Sequence, residues 1–128
     1  KPDWVVRKVF DEVSNFVLEN PEIKTSEVTI ACLGLTFKAD IDDLRESPAL
    51  AITNKLVGNL PCNLIVVEPY IQTLPPSLEE NTQLYSVEEA LDDADIVIIL
   101  VDHAQFKKID PVKFKGKRVI DTRGILRK

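Results

Sequence analysis

Residues 34–48 read Gly-Leu-Thr-Phe-Lys-Ala-Asp-Ile-Asp-Asp-Leu-Arg-Glu-Ser-Pro. The run before them, residues 28–33 (Val-Thr-Ile-Ala-Cys-Leu), predicts a buried strand. Ser47-Pro48 at the far end reads as a helix N-cap followed by proline in the first turn. Strand, polar loop and helix start is the order in which α/β folds present a ligand crevice. The loop holds one lysine, one arginine and no G-x-G-x-x-G. A nucleotide bound here would meet basic side chains more than bare backbone.

Working outward, Trp4, Val5, Val9, Val13, Phe16 and Val17 recur at helical spacing and predict an amphipathic helix over residues 3–19, ended by Asn20-Pro21. Residues 24–27 are a polar connection. Ala49, Ile52, Leu56 and Val57 predict a second helix, closed by Gly58 as its C-cap. Residues 64–67 form a second buried strand stopped by Glu68-Pro69, and residues 70–81, with Pro75-Pro76, read as irregular. A short edge strand is expected at 82–85. Ser86-Val87-Glu88-Glu89 has capping-box spacing and opens a helix to about Asp93. Residues 95–101 hold the strongest strand, Ile-Val-Ile-Ile-Leu-Val, followed by a helical turn at 104–108 and a last strand at 118–121.

Near-continuous apolar strands alternating with helices require a parallel sheet covered on both faces. Right-handed crossovers then give a Rossmann-like three-layer α/β/α domain of about five strands in the order 3-2-1-4-5. The crevice lies beyond the carboxyl ends of the strands, between the first strand and the strand starting at Ile96. The candidate residues are therefore 36–45, Glu68, Asp102-His103 and Thr122-Arg123-Gly124.

A chain of 128 residues, 45% hydrophobic, closes one core. The balance of 16 Lys and Arg against 21 Asp and Glu, a net charge of -5, argues against a nucleic-acid or acidic-membrane surface, so any anion site is a local basic cluster. The apolar run at 96–101 is too short to span a bilayer, and the start carries no signal pattern. Cys32 and Cys62 have no metal spacing and no redox pairing, as expected of reduced packing residues. No metal site is expected. The chain lacks methionine and opens on Lys1-Pro2-Asp3-Trp4, which predicts a piece of a longer protein.

Each candidate has a plainer reading. Lys38 and Arg123 would balance a diphosphate on one rim, Arg123 through a bidentate contact; otherwise they are two solvated cations. Asp40, Asp42, Asp43, Arg45 and Glu46 read as a metal or phospho-acceptor site, as in receiver domains, or as an ion-pair network fixing the loop. Their spacing, interleaved with Arg45, favours the network. His103, the only histidine, suits acid-base work with Asp102 orienting it, but a helix-start or hydrogen-bonding role fits better. Phe37 either stacks on a base or sugar or plugs the core beneath the loop, and the plug is the expectation taken.

These residues resemble the UDP-glucose/GDP-mannose dehydrogenase family in its carboxy-terminal UDP-binding domain. The resemblance rests on Gly34, Phe37-Lys38, Asp42-Asp43, Arg45 and Ser47-Pro48, then Asp121 and Arg123. Within the family, residues 41–48, Val67-Glu68-Pro69 and Leu100-Val101-Asp102-His103 with Phe106 are most similar to the UDP-N-acetyl-D-mannosamine dehydrogenase branch. The resemblance implies a cytoplasmic, NAD-dependent enzyme that oxidises the C6 alcohol of a UDP-sugar to a carboxylate for surface polysaccharide.

It further implies that Phe37, Lys38 and Arg123 contact the UDP-sugar and that Arg45 approaches the NAD phosphates. No catalytic residue is expected in this chain, since the nucleophilic cysteine belongs to a central domain and NAD is held mainly by an amino-terminal one. Residues 1–20 would end the helix linking to that central domain, with Trp4 exposed, and 21–128 would be the UDP-binding domain. The NAD and central domains of the same chain are its implied partners, in a homodimer or larger assembly. The rivals are another UDP-sugar dehydrogenase, a free-standing nucleotide-binding regulatory module and a receiver-type signalling domain.

Overall fold

The computed structural model describes residues 2–126. Lys1 and Arg127-Lys128, the outer ends of the two expected segments, lie outside the described residues. Five strands, β1 (Thr29–Leu33), β2 (Asn63–Val67), β3 (Gln83–Leu84), β4 (Ile96–Ile99) and β5 (Arg118–Asp121), form one sheet in the order β3-β2-β1-β4-β5. Every neighbouring pair is parallel, with Cys32 level with Val66 on one side and Ile98 on the other. The 3-2-1-4-5 Rossmann-like order expected from the sequence is thus observed.

The two-residue period of a strand decides which side chains share a core. Ile30, Cys32, Leu64, Val66, Ile96 and Ile98 face one helical layer. Ala31, Leu33, Ile65, Val67, Val97 and Ile99 face the other. The first layer holds α1 (Pro2–Glu19), α2 (Pro48–Asn59) and the single turn α3 (Pro76–Glu79); the second holds α4 (Val87–Asp93) and the single turn α5 (Ala104–Lys107). Both faces are covered, which is why the strands read as apolar runs without polar alternation.

Helix α1 buries Val5, Val9 and Val13, one residue per turn, and leaves Trp4, Phe10 and Leu18 exposed. Its direction is fixed at both ends. Arg118, opening β5, reaches Glu12 at 2.7 Å and also pairs with Glu19. At the other end Lys55 of α2 meets Asp3 at 2.9 Å. Pairs that are exposed or only partly buried, as these are, add little stability, so the valine stripe supplies the adhesion and the ion pairs set orientation. Trp4 therefore lies at the carboxyl edge of the sheet, beside the start of α2.

Four expectations need correction. Helix α2 does not close on Gly58: helical bonding continues to Leu60 N–H, which donates to Leu56 O at 2.9 Å, and the chain leaves through extended Leu60 (φ -113°). No left-handed residue is then required. Residues 70–81 are not wholly irregular, because Pro76 starts α3, which seats Leu78 in the core. The polar connection at 24–27 contains a 3-10 turn, Thr25–Glu27, whose Lys24 N–H bonds the Glu27 carboxylate. The edge strand shortens to two residues.

Gly34 does need its freedom. It has φ +104°, and a Cβ there would lie 2.6 Å from Val101 Cβ and 3.0 Å from Val101 N. Both cysteines are free, Cys32 buried and Cys62 half-buried. Burial pushes the Cys32 thiol up to about 12, despite an opposing hydrogen bond with Thr53. Among the described residues no helix is long and apolar enough to cross a membrane.

Two outcomes follow. Gly34→Ala is expected to cost roughly 2–4 kcal/mol in urea unfolding, from left-handed strain plus overpacking against Val101. In native protein an aromatic disulfide reagent is expected to titrate Cys62 alone, with Cys32 reacting only at the rate of unfolding.

Candidate functional site

Because every strand is parallel, their carboxyl ends share one edge. The chain leaves β1 into the 34–47 loop, β2 into Glu68, β4 into Asp102-His103 and β5 into Thr122-Arg123-Gly124. The winding reverses between β1 and β4, which is the switch point where such sheets take their ligands. Lys38 and Arg123 thus emerge at the same edge, after strands separated by β4.

One buried carboxylate ties these strand ends together. Glu68, 3% exposed, accepts from Leu35 N–H at 2.7 Å and Thr36 N–H at 3.2 Å on Oε1, and from Tyr70 N–H at 3.0 Å on Oε2. His103, wholly buried, places Nε2 3.0 Å from both carboxylate oxygens. Its Nδ1 receives the Asp40 N–H at 2.8 Å. A backbone N–H can only donate, so Nδ1 is bare and the ring proton is on Nε2, aimed at Glu68. Burial alone would raise the Glu68 carboxyl, but the bonds from His103, Leu35 N–H and Tyr70 N–H outweigh it and hold it below the usual range.

The network extends into the loop. Thr36 Oγ1 lies 3.3 Å from His103 Nε2 and donates to the Lys38 carbonyl at 3.0 Å. The Asp40 carboxylate accepts from Ala104 N–H at 2.8 Å and Tyr70 Oη–H at 3.3 Å. Asp40 itself has φ +62°, a conformation aspartate tolerates better than most residues. At the loop's far end Ser47 Oγ donates to the Leu35 carbonyl at 2.6 Å while accepting from Leu50 N–H at 3.1 Å. The hydroxyl that caps α2 therefore also holds the loop's base.

The helix-start reading of His103 is what the structure shows: it is the N-cap residue of α5. Asp102 does not orient it; adjacent side chains diverge, and Asp102 instead lies 4.0 Å from Arg123. The orienting acid is Glu68, which the sequence marked only as the residue following a strand. The charged loop is a network in part. Asp43 and Arg45 form a two-pronged pair at 3.0 and 2.9 Å, which with the Arg45 N–H holds the Asp43 carboxyl at about 2. Among the described residues no group of three His, Cys, Asp or Glu side chains is placed to hold a metal.

Phe37 is not a core plug. It is 46% exposed, because its N–H bonds Asp43 O at 2.7 Å and turns the loop outward there. It lines a groove of about 290 Å³ together with Trp4, Thr36, Ile52, Leu100 and Arg123. Asp121 shapes the Arg123 turn, accepting from Arg123 N–H at 3.1 Å and Gly124 N–H at 2.8 Å. The structure thus joins Phe37 and Arg123 in one groove. Arg45 lies on the other side of Phe37, with Asp43 and Glu46. Lys38 is exposed beside Phe37 and is not part of the groove wall.

The family model described as UDP-glucose/GDP-mannose dehydrogenase family, UDP binding domain, matches residues 31–128. The chain is 46% identical over 122 residues to an NDP-N-acetyl-D-galactosaminuronic acid dehydrogenase of Ralstonia solanacearum, covering 93% of this chain and 29% of that protein. It is 42% identical over 127 residues to the UDP-N-acetyl-D-mannosamine dehydrogenase of Yersinia pestis, covering 99% and 30%. The chain therefore spans under a third of the length of these relatives. Among solved structures, a UDP-D-ManNAc dehydrogenase from Pyrococcus horikoshii superposes with a TM-score of 0.71 at 29% identity, covering 99% of this chain and 28% of that one.

Glu68→Gln tests the clamp. Whichever way the amide turns, its NH₂ faces an N–H donor, so the loss is expected to be about 2–4 kcal/mol at neutral pH. The sign with pH is fixed by the lowered carboxyl. Its contribution is full above the ordinary value of 4.5 and disappears as pH falls through the folded-state value below that. Denaturant melts from pH 7 to pH 3 should show a shallower acid loss in Glu68→Gln than in the parent.

Proposed function

The chain belongs to the UDP-glucose/GDP-mannose dehydrogenase family through its UDP binding domain, and on that premise we propose that it grips the UDP portion of a UDP-sugar at the groove joining Phe37 and Arg123. The observation that carries this reading is that groove's position at the β1/β4 switch point, with a cation on its rim. Among the described residues the carboxylate nearest the Arg123 guanidinium is that of Asp102 at 4.0 Å, a separation that leaves the guanidinium able to fork onto a phosphate. Lys38, exposed one residue beyond Phe37, adds a second charge that the flexible ammonium can swing toward the diphosphate. Phe37 packs against the sugar or nucleoside.

For the longer protein we propose an NAD-dependent UDP-N-acetyl-D-mannosamine 6-dehydrogenase acting in surface polysaccharide synthesis. NAD would accept a hydride at each of the two oxidations that take the C6 alcohol to the uronate. This chain contributes no nucleophile and no dinucleotide glycine motif to that chemistry. What it offers the cofactor is Arg45, which would exchange the exposed Asp43 carboxylate for an NAD phosphate when an NAD domain closes on this one. The domain by itself is inactive in oxidation. Residues 1–20 end a helix leading to a central domain, and the assembly is a cytoplasmic homodimer or larger. A second reading, a dehydrogenase of the NDP-N-acetyl-D-galactosaminuronic acid kind, is supported by the 46% identity to the Ralstonia relative.

UDP titrated into this chain, followed by amide NMR shifts and calorimetry, is expected to bind weakly and to move residues 36–38 and 122–124. Lys38→Ala and Arg123→Ala should each weaken it about tenfold, the scale of a charge-assisted hydrogen bond. Unchanged affinity in the double variant would refute the two cationic roles.

A further inference from the structure

Building on that reading of the groove, we infer that Trp4 forms one wall of the nucleotide site and stacks on the pyrimidine base. The topology puts it there. Helix α2 begins at the carboxyl edge of the sheet because it follows the loop leaving β1, and α1 begins at the same edge because Arg118 at the opposite edge anchors Glu12 and Glu19 in its later turns. The first turn of α1 is thereby set beside Pro48 and Ala49, and Trp4 faces the same groove as Phe37 and Arg123. Val5, next in sequence, is 4% exposed and fixes the turn, whereas Trp4 leaves 47% of its surface open.

The lining says which part of a UDP-sugar belongs here. At about 290 Å³ the groove is at the lower end of ligand pockets, ~300–1,000 Å³, and suits a portion of the molecule. Its two hydroxyl protons are already committed within the fold, Thr36 to the Lys38 carbonyl at 3.0 Å and Thr122 to the Ile99 carbonyl at 2.6 Å. What remains is two aromatic side chains, an apolar floor of Ala49, Ile52 and Leu100, and one guanidinium. A hexose, with a hydroxyl on nearly every carbon, would leave most of them unpaired. A flat base offers its face to an aromatic ring, and its diphosphate can then lie toward Arg123.

Trp4 is the only tryptophan in the chain, so its emission reports on this site alone. UDP and uridine are expected to quench it, whereas inorganic pyrophosphate should shift the amides of residues 122–124 without altering emission. Trp4→Ala should lower UDP affinity roughly tenfold, as removal of a stacking ring does, and leave pyrophosphate binding unchanged. Trp4→Phe should retain most of the affinity, and thermal melts of both variants confirm that the fold persists. If UDP moves residues 36–38 and 122–124 but neither Trp4 emission nor the affinity of Trp4→Ala changes, the base lies elsewhere and the stacking role is overturned while the UDP reading stands. If UDP moves neither segment, the UDP reading fails and the stacking role with it.

Discussion

The Glu68 carboxylate is the constraint on which the ligand edge depends. It gathers N–H groups following β1, a ring following β4 and the turn following its own strand, at distances of 2.7 to 3.2 Å. A buried ionised acid is costly unless its lone pairs are met; here they are, and the acid becomes a clamp. His103 has no freedom left once Glu68 and the Asp40 N–H occupy its two nitrogens. The Phe37–Lys38 turn is therefore held between fixed points at Thr36 and Asp40, although both of its side chains face solvent.

That arrangement explains a contrast within one loop. Its two ends and the Asp40 turn are over-determined: Gly34 is pressed against Val101, Thr36 and Ser47 bridge backbone groups, and Asp40 is kept in a left-handed conformation. The Arg45 side chain, by contrast, is paired among the described residues only with its neighbour Asp43 and is largely exposed. A rigid frame suits side chains that must meet a ligand in one geometry. A loosely held arginine suits a contact completed only when another domain arrives. The same division appears in α1, whose valine face is fixed while Trp4 and Leu18 remain open.

Much of this was legible beforehand, for identifiable reasons. Runs such as 28–33 and 96–101 are too short for helices and suit strands covered on both sides, and the handedness of crossovers leaves few strand orders. Ser47-Pro48 and Ser86 with Glu89 announce their helices through backbone donors that need acceptors; both caps are present. Gly58 misled because glycine permits a left-handed turn without demanding one, and hydrogen bonding carried the helix past it. Phe37 misled because hydrophobicity favours burial, whereas a single backbone bond to Asp43 decided which way the turn faced.

Local sequence by itself determined the main helices and strands, their alternation and hence the sheet, since each rests on periodicity and capping within a few residues. It also placed Phe37, Lys38 and Arg123 at one edge, because parallel strands must end together. Only the tertiary structure decided which acid serves His103, since Glu68 is 35 residues away and Asp102 adjacent, yet direction rather than separation governs contact. It likewise decided that Trp4, at the far end of the chain from Arg123, shares a groove with it. The physical reason is that ion pairs to other elements, Arg118 of β5 with Glu12 and Glu19 and Lys55 of α2 with Asp3, set the helix's direction, and no pattern within α1 encodes that.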